Sequence, residues 1–467
     1  MNEKETIAAI ATGLSHAGIS MIRISGENAI EVADSIFVTK SGNHILKHVK
    51  SHTIHYGFIC EEDEMIDEVM VSVMKKPKSY TTEDTVEINC HGGILVTQKI
   101  LETVIKHGAR LAMPGEFTKR AFLNGRIDLT KAEAIMDMID AKSEYARKTS
   151  ARQLKGALYD VIVSMRQKII YEIAFIESAI DDPEHISLEG YQEKLSDTIT
   201  DLLAEANSLL KKCDDGLLLK NGIDTVIVGK PNAGKSSILN CLAGEEKAIV
   251  TDIAGTTRDA LTESVCLNGI CLNLIDTAGI RDTKDVVEQI GVSRARQYAK
   301  DADLIIYVVD ASVPLDESDE QIIHLIKDKK TIVLFNKSDL QEQTDESRLL
   351  DKWKKSGSSV LPFSFIRTSA KENDGLDLLE DAIKDLFFGG SIQVEEEIYI
   401  TNLRQKEALL ETKQSLELVS QSLLNNMPED FYSIDLMNAY ASLGSIIGEE
   451  VGDDLVEEIF SKFCMGK

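Results

Sequence analysis

The sequence lacks several features that would mark particular classes of protein. Among its 467 residues no apolar run approaches the roughly 18 residues that a membrane span needs. Its 7 Cys are odd in number and contain no C-x-x-C pair, so they offer no zinc site and suit a reducing cytosol. The opening Met-Asn-Glu-Lys-Glu has no apolar stretch of a signal peptide. We therefore expect a cytoplasmic protein that does not span a membrane.

Positive charge is also scarce. The chain has 51 Lys and Arg against 78 Asp and Glu, a formal net charge of −27, which argues against non-specific coating of nucleic acid or anionic membrane. A local basic patch remains compatible with that balance. With 43% hydrophobic and 28% charged residues the chain can bury real cores, and its length predicts about three domains at roughly 150 residues each.

The pattern of the chain changes three times and so defines four regions. Residues 1–125 mix short β-rich runs with turns, 126–221 read as amphipathic helices, 222–388 alternate strands with helices, and 389–467 are helical again. Alternation in the third region predicts βαβ units and a mostly parallel, doubly wound sheet. We predict a multidomain α/β plus α protein in which two helical stretches form one domain and the third region is inserted between them. The predicted strands are Ile19–Ser25, Val69–Met74, Thr85–Cys90, Thr225–Val228, Leu272–Ile275, Leu304–Val309, Thr331–Phe335 and Phe363–Ile366.

Apolar residues at helical spacing predict which faces of the long helices are buried. One such set occurs before the third region and another after it. They are Ile135, Met138, Ile139, Ile169, Ile170, Ile173 and Ile176, and then Leu403, Leu409, Leu410, Leu416, Val419 and Leu423.

A phosphate-binding loop follows the first strand of the third region. Gly229-Lys-Pro-Asn-Ala-Gly234-Lys235-Ser236 has the G-x-x-x-x-G-K-S spacing between a predicted strand and a predicted helix. In such a loop backbone N–H groups surround the phosphates, Lys235 neutralises them and the Ser236 hydroxyl ligates Mg²⁺. The alternative is a chance glycine-rich turn, which the motifs that follow make untenable.

Three further segments identify the nucleotide. Asp276–Gly279 ends a predicted strand, where Asp276 can hold the Mg²⁺ shell and the Gly279 N–H can sense a γ-phosphate. Asn336–Asp339 ends another, and a carboxylate there accepts from two donors of guanine that adenine lacks together. Thr368–Lys371 closes the base pocket. Four motifs in this order predict a P-loop GTPase that binds GTP and Mg²⁺.

Gly255–Asp259 lies where a first switch is expected. A threonine hydroxyl there completes the Mg²⁺ sphere only when the γ-phosphate is present, and we assign that role to Thr257.

Ile280 stands where Ras-type enzymes carry the glutamine that orients water. An apolar side chain cannot do this, so hydrolysis requires a cation, a carboxylate or an arginine from a partner. Asn232 offers an amide oxygen beside the phosphates, where a monovalent cation can replace an arginine finger. Glu288 can orient the water; its other interpretation is a solvated helix residue.

At this point the sequence resembles the MnmE (TrmE) family of tRNA modification GTPases over its whole length. The segments that carry the resemblance lie in the first, third and fourth of these regions. They are Ile22–Gly26, Glu87 with His91–Gly93, Pro114–Thr118, Ala121–Gly125, Gly255–Asp259 and Cys464–Lys467. The resemblance implies a folate-binding, dimer-forming domain over 1–125, a helical domain over 126–221 and 389–467, and a GTPase domain over 222–388.

The resemblance also implies a reaction. A homodimer of the chain would form a heterotetramer with the flavoprotein MnmG and add an aminomethyl or carboxymethylaminomethyl group to C5 of the tRNA wobble uridine. A tetrahydrofolate derivative, 5-formyl- or methylene-tetrahydrofolate, would supply the one-carbon unit. GTP hydrolysis in this family depends on K⁺ and on dimerisation of the GTPase domains.

Site residues follow from the resemblance by motif. Ser236 and Thr257 would ligate Mg²⁺, and Glu288 would be catalytic. The K⁺ ligands would be Asn232, Thr251, Ile253 and Thr256. The whole GTP-binding set is Asn232, Ala233, Gly234, Lys235, Ser236, Ser237, Thr251, Asp252, Ile253, Ala254, Gly255, Thr256, Thr257, Asp276, Thr277, Ala278, Gly279, Asn336, Lys337, Asp339, Ser369, Ala370 and Lys371.

The folate-binding residues implied by the resemblance are Arg23, Glu87, Arg126 and Lys467. A carboxylate can hold the N–H pair of a pterin, and cations can hold a glutamate tail. Arg126 departs from the lysine expected in the family, which keeps the charge and changes the geometry. Without the family, Arg23 would be read as one partner of a surface ion pair and Glu87 as an ordinary strand residue.

Cys464 has two interpretations. As a thiolate it can assist at the uridine ring or the folate, which would make it catalytic. Otherwise it packs beside the folate while Lys467 makes the contact.

Contact with tRNA is weakly indicated. Residues 100–155 hold 11 Lys or Arg against 7 acids, whereas residues 392–467 hold 5 against 15. The tRNA would meet the first stretch or lie chiefly on the partner. A mixed solvated helix face explains the same counts.

Two rival functions remain. A ribosome-assembly switch GTPase without covalent chemistry would leave residues 1–125 and the Cys464–Lys467 tail without a role. A folate-dependent methyltransferase would use GTP for regulation only.

Overall fold

The computed structural model describes most of the chain, which divides into two compact units. The described residues are 5–62, 64–182, 185, 190–244, 263–267, 269–275, 298–358, 360–390, 397–449 and 451–466. The first unit comprises Met1–Met136, Gln153–Gln167 and Tyr440–Lys467, and the second comprises Asp137–Arg152 and Lys168–Ala439. Over the described residues, each helix is too short or too polar to cross a bilayer.

A seven-stranded sheet organises the first unit, in the order β3-β4-β5-β6-β2-β1-β7. Its central strands alternate: Ile22 and Ile24 point into the core, while Arg23 between them faces the other side of the sheet. That alternation places Arg23 opposite Glu87 of the neighbouring antiparallel strand. The strands are β1 Ile7–Ile10, β2 Ala17–Ser25, β3 Phe37–Val38, β4 Thr53–Glu61, β5 Glu64–Met74, β6 Thr85–Gly92 and β7 Arg110–Leu111.

Two helices cover one face of this sheet. Their apolar side chains, including Val32 and Ile100, join a core with Ile24 and Val86. The opposite face leaves Tyr56 and other apolar residues exposed. The helices of this region are α1 Ala29–Ile36, α2 Ile94–Lys106 and α3 Glu116–Leu123, with a 3₁₀ turn at Leu46–His48.

Long helices make up the rest of the chain outside the second sheet. Four of them, α4, α5, α6 and α14, contribute residues to both units. In the first unit, Phe460 of α15 packs on Phe122 of α3 with ring centroids 6.0 Å apart. The helices are α4 Leu129–Asp140, α5 Glu144–Leu154, α6 Ala157–Asp181, α7 Tyr191–Lys211, α8 Cys213–Asn221, α13 Leu403–Leu424, α14 Glu429–Ile447 and α15 Asp453–Ser461.

The predicted buried faces of these helices are correct in part. Helix α13 packs along α7, and its Leu409, Leu416, Val419 and Leu423 are buried as expected. The prediction was wrong for Leu403 and Leu410, which are exposed. It was also wrong for Ile139 and Ile170, which face solvent while Ile169, Ile173 and Ile176 are buried. A residue adjacent to a buried position lies about 100° around the helix, so neighbours such as Leu409 and Leu410 cannot share a narrow buried stripe.

A six-stranded sheet organises part of the second unit, in the order β13-β12-β11-β8-β10-β9. All its pairs are parallel except the β9–β10 hairpin. Both faces are covered: Ile306 and Val308 join one core and Ile305 and Tyr307 the other. The strands are β8 Ile223–Val228, β9 Glu263–Leu267, β10 Ile270–Leu274, β11 Leu304–Asp310, β12 Thr331–Asn336 and β13 Ser364–Arg367, and the helices are α9 Lys235–Gly244, α10 Glu317–Ile326, α11 Glu346–Lys355 and α12 Leu376–Phe388.

The β9–β10 hairpin contains a feature that the cysteine pattern did not predict. Cys266 and Cys271 are directly opposite in its register and are joined by a disulfide. The hairpin turns at Gly269, whose φ of +95° is the left-handed conformation that glycine adopts at little cost. The two sheets and the helices together confirm the predicted multidomain α/β plus α architecture.

Candidate functional site

The parallel order of the second sheet brings three sequence motifs to one edge. Strands β8, β12 and β13 are parallel, so the segments that follow them emerge at the same end of the sheet. These segments are the phosphate loop, Asn336–Asp339 and Thr368–Lys371. The predicted juxtaposition of these motifs therefore exists in the described structure.

Asn336 joins all three segments. Its Nδ2 donates to the Ala233 carbonyl oxygen at 2.8 Å, and its Oδ1 accepts from the Ala370 N–H at 3.1 Å. A Cβ on Gly234 would lie 2.0 Å from Asn336 Nδ2, and Gly234 has φ +99°, so only glycine fits this place in the loop. The amide of Asn336 thus acts as a structural link between the phosphate side and the base side.

Two side chains of the base side are held by their own partners. The Ser369 hydroxyl donates to Asp339 Oδ1 at 2.8 Å, which orients the carboxylate. Lys337 Nζ lies 2.6 Å from Asp310 Oδ2 at the end of β11. Lys371, in contrast, is 79% exposed and pairs with Glu372.

The phosphate loop contains two lysines in different environments. Lys235 Nζ donates to the carbonyl oxygens of Gly229 and Lys230 at 2.8 and 2.9 Å, and burial lowers its pKa from the ordinary value. Burial also disfavours the charge of Lys230, but hydrogen bonds to Asp319 and Asp316 outweigh it and raise the pKa. The half-buried Lys235 ammonium, which contacts two neutral carbonyl oxygens, can neutralise an anion, whereas Lys230 is already paired with two carboxylates.

Asn232, the predicted K⁺ ligand, and Ser236, the predicted Mg²⁺ ligand, both lie in the phosphate loop. Asn232 is exposed on the loop with φ +63°, a conformation that asparagine tolerates better than most residues. Ser236 and Ser237 are in the first turn of α9, directly after Lys235. The loop therefore has the donor set that fits a nucleotide with its cations: a lysine, a hydroxyl, an amide oxygen and the N–H groups of a helix N-terminus.

The remaining predicted nucleotide and cation residues lie outside the described residues. They are Thr251, Asp252, Ile253, Ala254, Gly255, Thr256, Thr257, Asp276, Thr277, Ala278, Gly279 and Glu288, together with Ile280. The described hairpin β9–β10 lies between these two segments in the chain, and Ile275 precedes Asp276 directly.

A second cluster forms on the open face of the seven-stranded sheet. Arg23 Nε lies 2.9 Å from Glu87 Oε1, and both side chains are less than one-fifth exposed. Arg23 Nη1 also donates to the Gly466 carbonyl oxygen at 3.0 Å. Residues that are far apart in the sequence are thus brought together by strand pairing and by the return of the C-terminal tail.

The tail is fixed by its main chain. The Gly115 N–H donates to the Cys464 carbonyl oxygen at 3.3 Å. Gly466 has φ +88°, and a Cβ there would lie 2.4 Å from the Ile10 carbonyl oxygen. Cys464, two residues before Gly466 in the chain, is exposed, while Lys467 lies outside the described residues.

Arg126 reaches the same cluster through a residue that the sequence analysis missed. Its Nη1 donates to the Tyr80 carbonyl oxygen at 3.0 Å, and its guanidinium carbon lies 4.8 Å from the Tyr80 ring centroid. Arg23 lies 5.4 Å from the same centroid and 5.7 Å from that of Phe117. The only sequence signal for Tyr80 is an aromatic residue within a polar loop.

A network of charged side chains joins α3 to β7 and to the loop that contains Tyr80. Arg120, which is 5% exposed, donates to both Glu83 and Glu116, and Arg110 forms a second ion pair with Glu116. Burial alone would raise the pKa of the Glu116 carboxyl, but the hydrogen bonds from Arg110, Met113 N–H and Arg120 hold it below its ordinary value. The sequence analysis also missed this network: Glu116 and Arg120 are a local i,i+4 pair, but Glu83 and Arg110 join them only in the folded chain.

Known proteins resemble the chain along its full length. A profile described as the MnmE helical domain matches residues 129–464, and one described as the GTP-binding protein TrmE N-terminus matches residues 6–126. A tRNA modification GTPase MnmE from Lachnoclostridium phytofermentans is 56% identical over 463 residues, 99% of each chain. One from Acetivibrio thermocellus is 47% identical over 471 residues and covers 100% of each chain.

Among solved structures, the G domain of the T. maritima FeoB iron transporter is 26% identical and covers 35% of this chain and 98% of its own, with a TM-score of 0.26. That low score carries no argument about this chain. The family assignment is independent of it, because the helical-domain profile alone matches well over half of the sequence and the relatives match it from end to end. This chain belongs to the MnmE (TrmE) family of tRNA modification GTPases.

Proposed function

We propose that this chain is a K⁺-activated GTPase that acts with the flavoprotein MnmG on the tRNA wobble uridine. The pair adds an aminomethyl or carboxymethylaminomethyl group to C5, and a tetrahydrofolate derivative supplies the one-carbon unit. The observation that carries the proposal is the presence in one chain of two prepared sites: the phosphate loop linked by Asn336 to the guanine segments, and the Arg23–Glu87–Gly466 cluster.

At the first site, Lys235 and the loop N–H groups hold the phosphates and Asp339 holds guanine. Ser236 and Thr257 ligate Mg²⁺, which neutralises phosphate charge when bound. Asn232, Thr251, Ile253 and Thr256 surround K⁺, and Glu288 orients the attacking water in place of the side chain that Ile280 cannot provide. The remaining members of the predicted GTP-binding set shape the same pocket.

At the second site, Glu87 receives the pterin N–H pair with Arg23 beside it, and Arg126 and Lys467 hold the carboxylates of the glutamate tail. The ion pair of Arg23 with Glu87 holds both side chains in place before the ligand arrives. Cys464 is exposed and lies two residues before Gly466, whose carbonyl oxygen accepts from Arg23. We propose a catalytic role for Cys464 only as the second choice to simple packing against the ligand.

The assembly we propose is a homodimer through residues 1–125, extended to a heterotetramer by MnmG. The open face of the seven-stranded sheet supports the first contact, because Ile54, Tyr56 and Met70 are each about half exposed or more there. Tyr56 and Met70 are cross-strand partners, so these apolar side chains are contiguous. The cytoplasm is the proposed location, since the tRNA substrate is found there.

The tRNA contact is better placed on the partner than on residues 100–155. Many cations of that stretch have an acidic partner within their own unit. Such pairs are Lys106–Glu61, Lys119–Glu457, Lys131–Asp128 and Arg147–Glu144. Paired cations attract phosphate less strongly, so the excess of positive charge in this stretch is mostly compensated.

We further propose the domain division 1–125, 126–221, 222–388 and 389–467, with the GTPase domain coupled to the helical domain through the β9–β10 hairpin. Gly269 of the hairpin lies against the ring of Tyr145, where an added Cβ would be 2.7 Å from Cδ2. Lys142 Nζ lies 3.4 Å from Ser264 Oγ of the same hairpin. Because the hairpin lies between the two switch segments in the sequence, we expect it to transmit a change of nucleotide state to α5 by this contact.

The experiment that tests the proposal is GTP turnover by the purified chain in KCl and in NaCl at equal ionic strength. We expect much faster turnover in KCl, and its loss in Asn232→Gly and Glu288→Ala. Asn232→Gly removes the amide without placing an alanine at φ +63°. Equal, slow rates in the two salts would contradict the K⁺ mechanism and indicate a residue supplied by a partner.

Nucleoside analysis of tRNA from a deletion strain separates the rival functions. We expect loss of the wobble modification. Loss of a plain methyl group would instead favour a folate-dependent methyltransferase, and unchanged nucleosides with defective ribosomes would favour an assembly GTPase.

A further inference from the structure

Tyr80 is at the centre of the N-terminal cluster, although no motif assigns it a role. Its ring centroid is 5.4 Å from the guanidinium carbon of Arg23 and 4.8 Å from that of Arg126. The two guanidinium carbons therefore lie at most about 10 Å apart, which is the limit set by these two distances laid end to end. Two of the four predicted folate-binding residues thus share one aromatic ring.

The ring itself is held in place. Its hydroxyl is 2.9 Å from Thr118 Oγ1, and it packs against the buried cluster that includes Ile7 and Phe117. The next residue, Thr81, is fixed on both sides, by a 2.6 Å hydrogen bond with Ser25 and by Asn124 Nδ2 donating to its carbonyl at 2.7 Å. Tyr80 is therefore a fixed platform, whereas the Arg126 side chain is exposed.

The electrostatics of this arrangement explain why a ring belongs there. Two guanidinium groups this close repel each other, and the negative face of an aromatic ring attracts both. The planar guanidinium of Arg126 also donates to the Tyr80 carbonyl oxygen, so ring and main chain together fix it at two points. A lysine at 126 has no planar group to lie on the ring, which gives the departure from the expected lysine a structural reason.

We propose that Tyr80 is a positioning residue of the folate site: its ring and its carbonyl fix the Arg126 guanidinium, so that this cation is set for a carboxylate of the glutamate tail while Arg23 stays paired with Glu87. This inference rests on the proposed folate function and specifies how that site holds the cation that receives the tail. Tyr80 acts through Arg126, and its removal frees a long exposed side chain to sample other rotamers.

The test is the affinity of the full-length chain for 5-formyltetrahydrofolate, measured by titration calorimetry. Tyr80→Leu is expected to weaken binding roughly fivefold to thirtyfold, the range of one cation–π contact. Tyr80→Phe, which keeps the ring, is expected to stay within about threefold of the unmodified chain. Arg126→Lys is expected to weaken binding by at least about threefold, and the double variant with Tyr80→Leu is expected to be no weaker than the weaker single variant.

Each outcome decides the question. If the unmodified chain does not bind the folate, the proposed folate site is wrong and this inference fails with it. If the chain binds but Tyr80→Leu binds equally well, only the role of Tyr80 is wrong. Additive losses in the double variant would also overturn it, because they show that Tyr80 acts without Arg126. If Tyr80→Leu does not fold, Arg126→Lys decides alone: unchanged affinity would overturn the inference. Thermal unfolding of each variant, followed by circular dichroism, controls for folding.

Discussion

The two candidate sites are built in opposite ways. In the nucleotide site each motif is a continuous segment at the end of a parallel strand, and one side chain, Asn336, links them. In the N-terminal cluster each contributor comes from a different part of the chain: β2, β6, the loop at Tyr80, residue 126 and the tail. Local backbone geometry therefore determines the first site, and tertiary folding determines the second.

Their electrostatics differ as well. Lys235 is half-buried, its Nζ contacts two neutral carbonyl oxygens, and burial lowers its pKa. Arg23 already has a carboxylate partner. The nucleotide site therefore has a cation that can bind an anion directly. The N-terminal cluster is a preformed ion pair, to which a ligand with both N–H donors and carboxylates can add hydrogen bonds. This difference predicts that substitutions should act more strongly at the nucleotide site.

The largest effect is expected from Lys235→Ala. Removing a cation that makes at least two charge-assisted contacts with phosphate costs about 3 kcal/mol or more, which weakens GTP binding more than roughly 100-fold. Titration calorimetry with GDP and GTP measures this. The matched control is Lys230→Gln in the same loop, which keeps a donor for Asp319 and should change GTP affinity less than about threefold. Equal losses in both variants would abolish the distinction between the two lysines.

Asp339→Asn should produce the next largest change, one of specificity. The amide replaces one acceptor by a donor, so guanine loses a charge-assisted contact and xanthine gains a complementary one. We expect GTP to bind roughly 30- to 100-fold more weakly and XTP more tightly, from about 2–3 kcal/mol of altered hydrogen bonding. Competition between the two nucleotides measures the switch; unchanged preference would mean that Asp339 does not contact the base.

Glu87→Gln should act on the cluster alone. The amide keeps the shape but not the charge that pairs with Arg23 Nε at 2.9 Å, so 5-formyltetrahydrofolate should bind roughly tenfold more weakly. GTP turnover in KCl should stay as it is. A loss of both activities would show that the two sites depend on each other more closely than their separate construction suggests.

The smallest effect is expected from Tyr145→Ala, which removes the ring that contacts the β9–β10 hairpin. Turnover of GTP should be nearly unchanged, while wobble modification by the proposed complex with MnmG should fall about threefold to tenfold, within the range expected for a coupling residue. Tyr145→Phe keeps the packing and is the control. If modification and turnover fall together, the contact stabilises the GTPase domain and does not couple it.

How much the sequence could predict follows the same division. Asn336–Asp339 and the phosphate loop were found from spacing because their chemistry depends on consecutive residues. Tyr80 and the pair of Arg120 with Glu83 were not found from spacing, because long-range packing brings these residues to their partners. The family resemblance placed Arg23, Glu87 and Arg126 near each other, but it gave no account of the ring between two of them.

Strands β4 and β9 are absent from the predicted set, and neighbouring parts of the chain again give the reason. Strand β4 contains Gly57, where any side chain would meet the Phe37 ring and the Val38 carbonyl within about 2.6 Å, so a residue unfavourable for strands is required by a neighbour. Strand β9 is indicated mainly by the Asn-Gly pair between it and β10 in the sequence, a hairpin signal that is absent from the predictions above. Exposed Leu403 and Leu410 show that apolar residues in a helix do not all share one face.

The hydrogen bond between Arg23 and Gly466 spans 443 positions of the chain. Contacts so distant in sequence carry the highest entropic cost of closure, while β2 and β6 pair over a far shorter distance. The Arg23–Glu87 pair therefore needs only the N-terminal sheet. The contact of Arg23 with Gly466 requires in addition that α15 packs on α3 and that the intervening chain is folded. A ligand that contacts the tail therefore binds only chains in which the tail has reached its native position. Its binding can serve as an assay for correctly folded chains.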